Sequence, residues 1–534
     1  MKFITRSLLF LLALYGLVFA VGDWYLVRSG ANLGFAVLFA IGFVGLQYLV
    51  APWIVQWVLD ISWCDEGAKL PEANREFIEK LCAERGLKMP RIGIIYSGTP
   101  NAFSFGRVRS DARVVVTSGL LDVLTPEEAN GVLAHELGHV EHWDFAVMTI
   151  AALAPLVLYQ IYVVTDKINN ARAVAYGAYV CYLLSQYVVL LLNRTREYFA
   201  DHYAACVTHA PSALSSALVK IAYGMVREEG EYQRVMAMGS KDDKKDARKM
   251  RRLAGTVALM GISNVRSGSA LALAQANPME AAAVMKWDLV NPWARFYELS
   301  STHPLTALRV RELNREAETM HQAVAYPLPQ DQQIRWGKFP LEFLVWVLPV
   351  LAGALLVTTY WFPYVFRYLQ YDLPANFRPI LLIALGVTWF ARILYRYRGE
   401  FQDANVGTLL EDLEVSQMRP RAVHLKGKIV GRGEPGAFWS ADLVLRDETG
   451  MVFLLYRSSI PFARWIFGTL SADNYVGQEV KVEGWFRRGL VPYVELSKLT
   501  DGSGQSRRLY SRWIQCAAAA AAVILGWLWM TGGF

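Results

Sequence analysis

The sequence predicts a multi-span α-helical membrane protein with a mainly α-helical domain that carries a small β-sheet and, near the C-terminus, an OB-like β-barrel. Hydrophobic residues make up 54% of the 534 residues and charged residues only 19%, which is typical of membrane proteins. Several apolar runs are long enough to cross a bilayer as helices. The last third of the chain instead alternates in short strand-like runs separated by turn residues.

Seven apolar runs are predicted to span the membrane: Leu8 to Gly22, Leu33 to Leu59, Phe145 to Val164, Ala173 to Leu192, Leu341 to Phe362, Pro379 to Leu394 and Ile514 to Met530. The first is the weakest, because Lys2 and Arg6 before a short apolar core also fit a cleaved signal peptide. Cleavage would not invert the later spans, since the second span would still enter from outside.

The distribution of Lys and Arg predicts the orientation of these spans. Few basic residues occupy the connections around Arg28, Lys167 to Arg172 and Arg367. The opposite side carries Arg194 and Arg196, Arg335 and Lys338, Arg392, Arg396 and Arg398, and Arg507, Arg508 and Arg512. Basic residues concentrate on the cytosolic side of membrane proteins, so this side is expected to be cytosolic.

A small sheet is expected between the second and third spans. Glu72 to Arg85 has helical periodicity and ends at Gly86, while Arg91 to Ser97 and Arg113 to Thr117 have the composition of short strands. The turn-rich segment Gly98-Thr99-Pro100 separates them.

The most informative stretch is His135-Glu136-Leu137-Gly138-His139. The helix that carries it has a clear predicted start, with Thr125 as N-cap, Pro126 in the first turn and Glu128 completing a capping box. Two imidazoles therefore lie one helical turn apart, with a carboxylate beside the first, an arrangement that suits a zinc-dependent hydrolase. A catalytic zinc usually takes one more protein ligand and keeps one position open for water.

The segment after the fourth span offers that further ligand. Glu197 and Asp201 are four residues apart and share one face of a helix. Glu197 can complete the metal ligands, while Asp201 can accept a hydrogen bond from a ligand imidazole and fix its tautomer. The alternative is a pair of helix-surface acids beside Arg194 and Arg196.

Together these motifs resemble the HtpX-like integral-membrane zinc metallopeptidases, which are related to the CaaX prenyl proteases. The resemblance covers about the first two thirds of the chain and implies a zincin-like fold with His135, His139 and Glu197 as ligands of Zn²⁺. Asn101-Ala102-Phe103 resembles a substrate-binding segment, implied to lie on an edge strand beside the cleft. Ser301-Thr302-His303-Pro304 and Arg309 resemble a motif that implies His303 and Arg309 stabilise the tetrahedral intermediate.

The expected reaction is metal-assisted peptide hydrolysis. Glu136 is expected to take a proton from the attacking water and later to protonate the leaving amine. If the helix of His139 continues into the third span, the metal would lie at the cytosolic membrane surface, because Glu197 closely follows the fourth span. Two local alternatives stay open: Asn101 to Phe103 as an ordinary loop entering a strand, and His303 as a histidine at a helix start.

Past the sixth span, five short runs predict the strands of an OB-like barrel, with a helix at Ile460 to Leu470 between the third and fourth. The strands are Val423 to Val430, Asp442 to Arg446, Met451 to Tyr456, Glu479 to Phe486 and Tyr493 to Leu496. Some residues would permit a basic, aromatic surface: Lys426, Lys428, Trp439, Trp485, Arg487 and Arg488. Because the barrel is tethered between spans, a protein partner is favoured and nucleic acid is not.

The expected domain order is two spans (1–59), a metallopeptidase domain (60–338) interrupted by a membrane hairpin (145–192), two spans (339–398), a cytosolic barrel (399–512) and a final span (513–534). The five cysteines lack disulfide or metal-site spacing. The net charge of +7 is largely explained by residues at the membrane boundaries.

Three functions fit these observations. The first is a membrane zinc endopeptidase of protein quality control, acting on membrane proteins or peptides at the cytosolic face of a bacterial inner membrane. The second is a CaaX-type prenyl protease, although only two spans precede His135. The third is a catalytically silent scaffold that recruits partners through the barrel, against which the presence of Glu136 argues, since a structural zinc needs no general base.

Overall fold

The computed structural model describes residues 33–59, 61–98, 100–168, 171–221, 278–361, 374, 376–432, 441–459, 462–489 and 492–532. The predicted first span and Trp439 lie outside these residues.

Helices and strands are numbered here in chain order. The helices are α1 Leu33–Val58, α2 Glu72–Arg85, α3 Ser118–Val123, α4 Pro126–Glu141, α5 Asp144–Thr165, α6 Arg172–Thr208, α7 Pro278–Val290, α8 Pro292–Glu298, α9 Thr306–Thr319, α10 Phe339–Trp361, α11 Phe377–Arg396, α12 Val406–Glu411, α13 Ala463–Leu470, α14 Ala472–Tyr475 and α15 Ser511–Met530. The strands are β1 Ser62–Trp63, β2 Arg91–Ile95, β3 Ala102–Phe105, β4 Arg113–Thr117, β5 Gln402–Asp403, β6 Arg421–Arg432, β7 Leu443–Arg446, β8 Met451–Leu455, β9 Glu479–Arg488, β10 Pro492–Thr500 and β11 Ser506–Arg508. Residues 211–221 are also helical.

Six of the helices, α1, α5, α6, α10, α11 and α15, are long and apolar enough to cross a membrane. They coincide with the second to seventh predicted spans, which confirms an integral membrane protein. The main difference concerns the fourth span, predicted to end at Leu192. It is the first part of α6, a continuous helix of 37 residues.

A four-stranded sheet precedes the helix that carries the histidines. Its strand order is β1-β2-β4-β3, with β2 and β4 parallel and the other pairs antiparallel. The predicted helix and both predicted strands are confirmed, and Gly86 ends α2 with a φ of 63°, a left-handed conformation that favours glycine. Strand β3 is an edge: among the described strands it pairs with β4 alone.

The C-terminal strands close into the predicted barrel. The pairs run β6-β7-β8-β10-β9 and return from β9 to β6, antiparallel except between β8 and β10. Helix α13 lies between β8 and β9, as predicted. Two short strands extend this closed set, β5 beside β6 and β11 beside β10.

The expectation of a basic, aromatic barrel surface is wrong for three of the residues named for it. Trp485, Arg487 and Arg488 are buried. Arg487 donates to Glu495 Oε2 at 3.0 Å, and Arg488 donates to the carbonyl of Leu410. Buried guanidinium groups need such partners because an unpaired buried charge is costly. These three side chains therefore lie inside the barrel and do not form part of an exposed surface.

By their internal contacts, the described residues form two units. The first comprises residues up to 285 together with 296–330, and the second comprises 286–295 together with the residues from 331 onward. Residues Lys286–Arg295, placed by sequence in the metallopeptidase domain, thus pack with the C-terminal unit. There Trp287 Nε1 donates to the carbonyl of Val415 at 2.8 Å.

Spans α11 and α15 pack closely in antiparallel orientation at two glycines. A Cβ on Gly386 would lie 2.7 Å from the carbonyl oxygen of Ala519, and one on Gly526 would lie 2.7 Å from the side chain of Ile383. Small residues permit such close approach of membrane helices.

Gly386→Ala is therefore expected to destabilise the protein by about 1–3 kcal/mol, because the added methyl meets backbone that cannot move aside easily. Thermal unfolding in detergent measures the loss. Gly353→Ala on α10 is the matched control, since its Cβ would meet the nearest side-chain atom only at 3.7 Å. Equal stability of the two variants would contradict the close packing of α11 on α15.

Candidate metal centre

Helix α4 begins as the sequence predicts. Thr125 accepts a hydrogen bond from the backbone of Glu128, whose carboxylate accepts one from the backbone of Thr125, and Pro126 occupies the first turn. The helix ends at Glu141, and Trp143 adopts a left-handed conformation with a φ of 60° before α5 begins at Asp144. The condition that this helix continues into the third span is not met, because the chain turns at Trp143 and α5 begins as a separate helix.

His135, His139 and Glu197 come together between α4 and α6, and all three side chains are buried. The Nε2 atoms of the two histidines are 3.2 Å apart. Glu197 Oε2 lies 3.6 Å from His135 Nε2, and Glu197 Oε1 lies 3.7 Å from His139 Nε2. Helices α4 and α6 approach closely at Gly138, where an added Cβ would lie only 3.2 Å from the Cα of Ala200. This close approach brings Glu197 of α6 near the two histidines of α4.

This arrangement fits a zinc ion. Nitrogen and oxygen ligands at about 2.0–2.2 Å in a tetrahedron lie about 3.3–3.6 Å from one another, close to the three separations above. Glu197 Oε2 is buried and has no hydrogen bond of ordinary geometry within the described part of the chain. A buried carboxylate oxygen without a donor is costly, and a cation would satisfy it.

Asp201 and Arg309 form a second layer behind His135. Asp201 Oδ1 lies 2.9 Å from His135 Nδ1, the nitrogen that faces away from Glu197. Arg309, on α9, donates to both oxygens of Asp201 at 2.7 Å and lies 3.6 Å from Glu197 Oε2. Its guanidinium is buried and bidentate. This geometry favours a positioning role for Arg309 over the predicted direct contact with the tetrahedral intermediate.

Charge and burial act in opposite directions on these groups. Burial lowers the pKa of His135, but the neighbouring carboxylates of Asp201 and Glu197 raise it more, to about 9. Burial likewise lowers the pKa of Arg309, while the charge of Asp201 raises it further, above its usual range. Arg309 is therefore permanently charged, and a metal that binds His135 must displace a proton from the metal-free pocket.

Asp144 holds the second histidine in a way that sequence reasoning missed. Its Oδ2 lies 2.5 Å from His139 Nδ1 and 3.2 Å from Arg196 Nη1, and its side chain is buried. The turn at Trp143 directs it back towards α4. A clue was available in the sequence, since an acid at the start of an apolar span is costly without a partner.

Replacing Asp144 by asparagine is expected to weaken Zn²⁺ binding by about 10–100-fold, because partners of ligand imidazoles raise their basicity and fix their orientation. A competition titration with a chromophoric chelator measures this affinity. Asp166→Asn, at the exposed far end of α5, serves as control. If the two variants bound Zn²⁺ equally well, Asp144 would have no role in positioning His139.

Two arginines predicted on the cytosolic side of the spans, Arg194 and Arg196, also contact the site. Arg194 is buried, and its Nη1 donates to the carbonyls of Glu298 at 2.7 Å and Ser301 at 3.0 Å. It thereby fixes the loop that carries His303, whose Nδ1 lies 3.3 Å from Glu197 Oε2. Arg196 links Asp144 with Glu197, at 3.2 and 3.7 Å.

Glu136 lies on the same helix as the two histidines and is buried. In the part of the chain that the structure describes, no hydrogen bond or ion pair involves its carboxylate. His303 is partly exposed, and its Nδ1 lies 3.3 Å from Glu197 Oε2, beside the three candidate metal ligands.

The segment Asn101-Ala102-Phe103 enters the edge strand β3. Asn101 pairs with Thr117, whose backbone N–H donates to the Asn101 carbonyl at 3.0 Å. Ala102 and Phe103 pair with Val116 and Val115 of β4, and β3 packs against α4. The strand thus lies beside the helix of the histidines with one edge unpaired among the described strands, a place where an extended peptide can add.

Comparison with known proteins gives a consistent result. The model of "Peptidase family M48" matches residues 71–317. The chain is 36% identical to a protease HtpX homolog of Methanothermobacter thermautotrophicus over 227 residues, which covers 41% of this chain and 86% of the relative. It is also 28% identical to a protease HtpX homolog of Thermococcus sibiricus over 329 residues, covering 58% of this chain and 94% of the relative.

Among solved structures, Ste24p of S. mikatae is similar, with 16% sequence identity and a TM-score of 0.37. The similarity covers 58% of this chain and 65% of that one.

Proposed function

Because this chain belongs to peptidase family M48, we propose that it is a zinc endopeptidase that hydrolyses membrane or membrane-proximal proteins at the cytosolic membrane surface. That it is a membrane metallopeptidase follows from the family and from the six apolar helices. We propose in addition that the metal is zinc, that the site faces the cytosol, that the substrates are membrane or membrane-proximal proteins, and that the enzyme serves protein quality control. The resemblance to HtpX supports the last of these.

One observation carries the proposal. The three candidate metal ligands lie on helices that join a membrane hairpin: Glu197 is on α6 itself, and Asp144, which supports His139, is the first residue of α5. Along a helix, Glu197 follows the predicted membrane segment ending at Leu192 by about 7–8 Å. Peptide bonds within reach of this site therefore belong to chains near the membrane surface.

The side chains suggest how the reaction proceeds. His135, His139 and Glu197 would hold Zn²⁺, which supplies Lewis-acid polarisation and a more acidic water when bound. Glu136 would accept the proton of the attacking water and pass it to the leaving amine. His303 would donate a hydrogen bond to the oxyanion. Asp201, Arg309 and Asp144 would orient the two imidazoles.

Substrate binding would use the free edge of β3. A peptide that extends the sheet there gains backbone hydrogen bonds regardless of its sequence, which suits the removal of many different damaged proteins. Asn101, Ala102 and Phe103 would line this edge. The concentration of Lys and Arg supports a cytosolic site, as in a bacterial inner membrane.

The test compares three substrates with the full chain, reconstituted with Zn²⁺ in lipid nanodiscs. They are a single-span protein with an unfolded cytosolic segment, the same segment without its span, and a prenylated CaaX peptide. We expect the tethered segment to be cleaved about tenfold faster or more than the free one, because the bilayer raises its effective concentration. Cleavage of the prenylated peptide alone would overturn the proposal in favour of a prenyl protease.

A further inference from the structure

Helix α13, on the outside of the barrel, has one buried face and one exposed apolar face. The buried face is centred on Phe467, whose ring stacks on Tyr456 with centroids 4.0 Å apart. The α13 apolar face consists of Phe462, Trp465, Ile466 and Leu470, which are 78%, 55%, 48% and 73% exposed. The spacing of Trp465, Ile466 and Leu470 places them along one side of the helix, and Phe462 immediately precedes its first residue. Four large apolar side chains so exposed together on a short helix and the residue before it indicate an interaction surface.

The α13 apolar face lies next to the start of a membrane span. Ser459, four residues before α13, donates a hydrogen bond to the carbonyl of Ser511, and the two hydroxyls are 3.1 Å apart. Ser511 is the first residue of α15. Gln515, one turn further along α15, donates to Ser511 at 3.1 Å. These contacts hold the chain that leads into α13 at the level where α15 enters the bilayer.

The barrel is also fixed rigidly to span α11. Tyr397 follows the last residue of α11, contacts Trp485 of β9 edge to face at 4.8 Å and donates a hydrogen bond to Glu495 of β10. Arg487 donates to the carbonyl of Arg396 at 2.5 Å. Since α11 ends and α15 begins at the same membrane surface, the barrel cannot be raised away from that surface without breaking these contacts.

The residues around this junction suit a lipid surface. Tyr510 and Trp513, at the start of α15, are 61% and 67% exposed, as in the aromatic belts of membrane proteins. The guanidinium of Arg507 lies 4.8 Å from the ring centre of Phe467, and Arg508 is exposed beside it. Apolar side chains with flanking arginines are the pattern of helices that lie in the interface of anionic membranes.

We propose that the α13 apolar face inserts into the headgroup region of the same bilayer that α15 crosses, as an interfacial helix that seats the barrel on the membrane. The four side chains enter the boundary of the acyl chains, while the nearby arginines contact lipid phosphates. The barrel then has a fixed depth and orientation, and its opposite side is left to face the aqueous phase.

A site-specific photo-cross-linker tests this proposal. A benzophenone amino acid replaces Trp465 or Leu470 in the full chain, which is reconstituted in nanodiscs of phosphatidylethanolamine and phosphatidylglycerol and irradiated. The control position is Glu448, in the exposed turn between β7 and β8. Mass spectrometry counts lipid adducts at each position, and size-exclusion chromatography confirms that each variant remains monodisperse.

We expect about tenfold more lipid adducts at positions 465 and 470 than at 448, as for a helix buried in the interface. Lipid labelling at 465 and 470 no higher than at 448 would overturn the proposal. Cross-links to a second copy of the chain in place of lipid would also overturn it and would identify the face as a protein interface. The experiment needs no catalytic activity, so its result is independent of the proposed function.

Discussion

Replacing Glu136 by glutamine is expected to slow peptide-bond hydrolysis by about 10²–10⁴-fold, the range that a general base contributes. The amide keeps the size of the side chain but cannot accept the proton of the attacking water. Because Glu136 has no partner among the described residues, its loss should leave stability and Zn²⁺ affinity nearly unchanged. The measurements are the rate of cleavage of a membrane-tethered substrate, the metal affinity and the melting temperature.

Glu127→Gln is the matched control, since Glu127 is an exposed acid in the first turn of the same helix. It should cleave like the unchanged protein. Full activity of Glu136→Gln would remove Glu136 from the mechanism. Loss of Zn²⁺ together with activity would show instead that Glu136 holds the site together.

Replacing Arg309 by alanine is expected to destabilise the protein by about 3–5 kcal/mol, because it leaves the buried carboxylate of Asp201 without its bidentate cation and removes the positive charge that lies 3.6 Å from Glu197 Oε2. Without its bidentate partner, Asp201 can no longer hold His135 in one orientation. Zn²⁺ affinity should therefore fall by about 10–100-fold as well. Denaturation in mixed micelles and a chelator competition measure the two effects.

Arg309→Lys separates the possible roles, because it keeps the charge but not the two parallel hydrogen bonds. A positioning role predicts that lysine restores much of the stability but only part of the Zn²⁺ affinity. A direct contact with the oxyanion predicts normal stability and metal binding in Arg309→Ala, with a reduced kcat alone. That second pattern would contradict the role assigned to Arg309 here.

Local pattern predicted much of the fold. Residues close together in the chain determine three of the elements: helix α4 with its capping box, helix α2 with its C-terminal glycine, and strand β4. The same holds for the barrel strands, in which buried and more exposed residues alternate as the sequence pattern predicts. The sequence predicted Glu197 and Asp201 on a helix, but not that this helix is continuous with the fourth span, because hydropathy marks where an apolar run ends and not where a helix ends.

The candidate site divides in the same way. The spacing of His135 and His139 and that of Glu197 and Asp201 express a helical period, so each pair could be predicted from sequence; that they hold a metal stays a prediction. Sequence reasoning missed the role of Asp144, whose approach to His139 depends on the left-handed turn at Trp143. No residue near Trp143 in the sequence predicts this left-handed turn.

The sequence by itself determined which segments are apolar, which are helical or extended, and which residue types can bind a metal, because these properties depend on neighbours along the chain. Only the tertiary structure decided which charged side chains are buried and which groups they contact. Arg309 reaches Asp201 across 108 positions, and Arg194 reaches Ser301 across 107. Arg487 turns into the barrel, whereas Phe462 and Trp465 turn outward. Such outcomes depend on how whole helices and strands pack, which no short window of sequence contains.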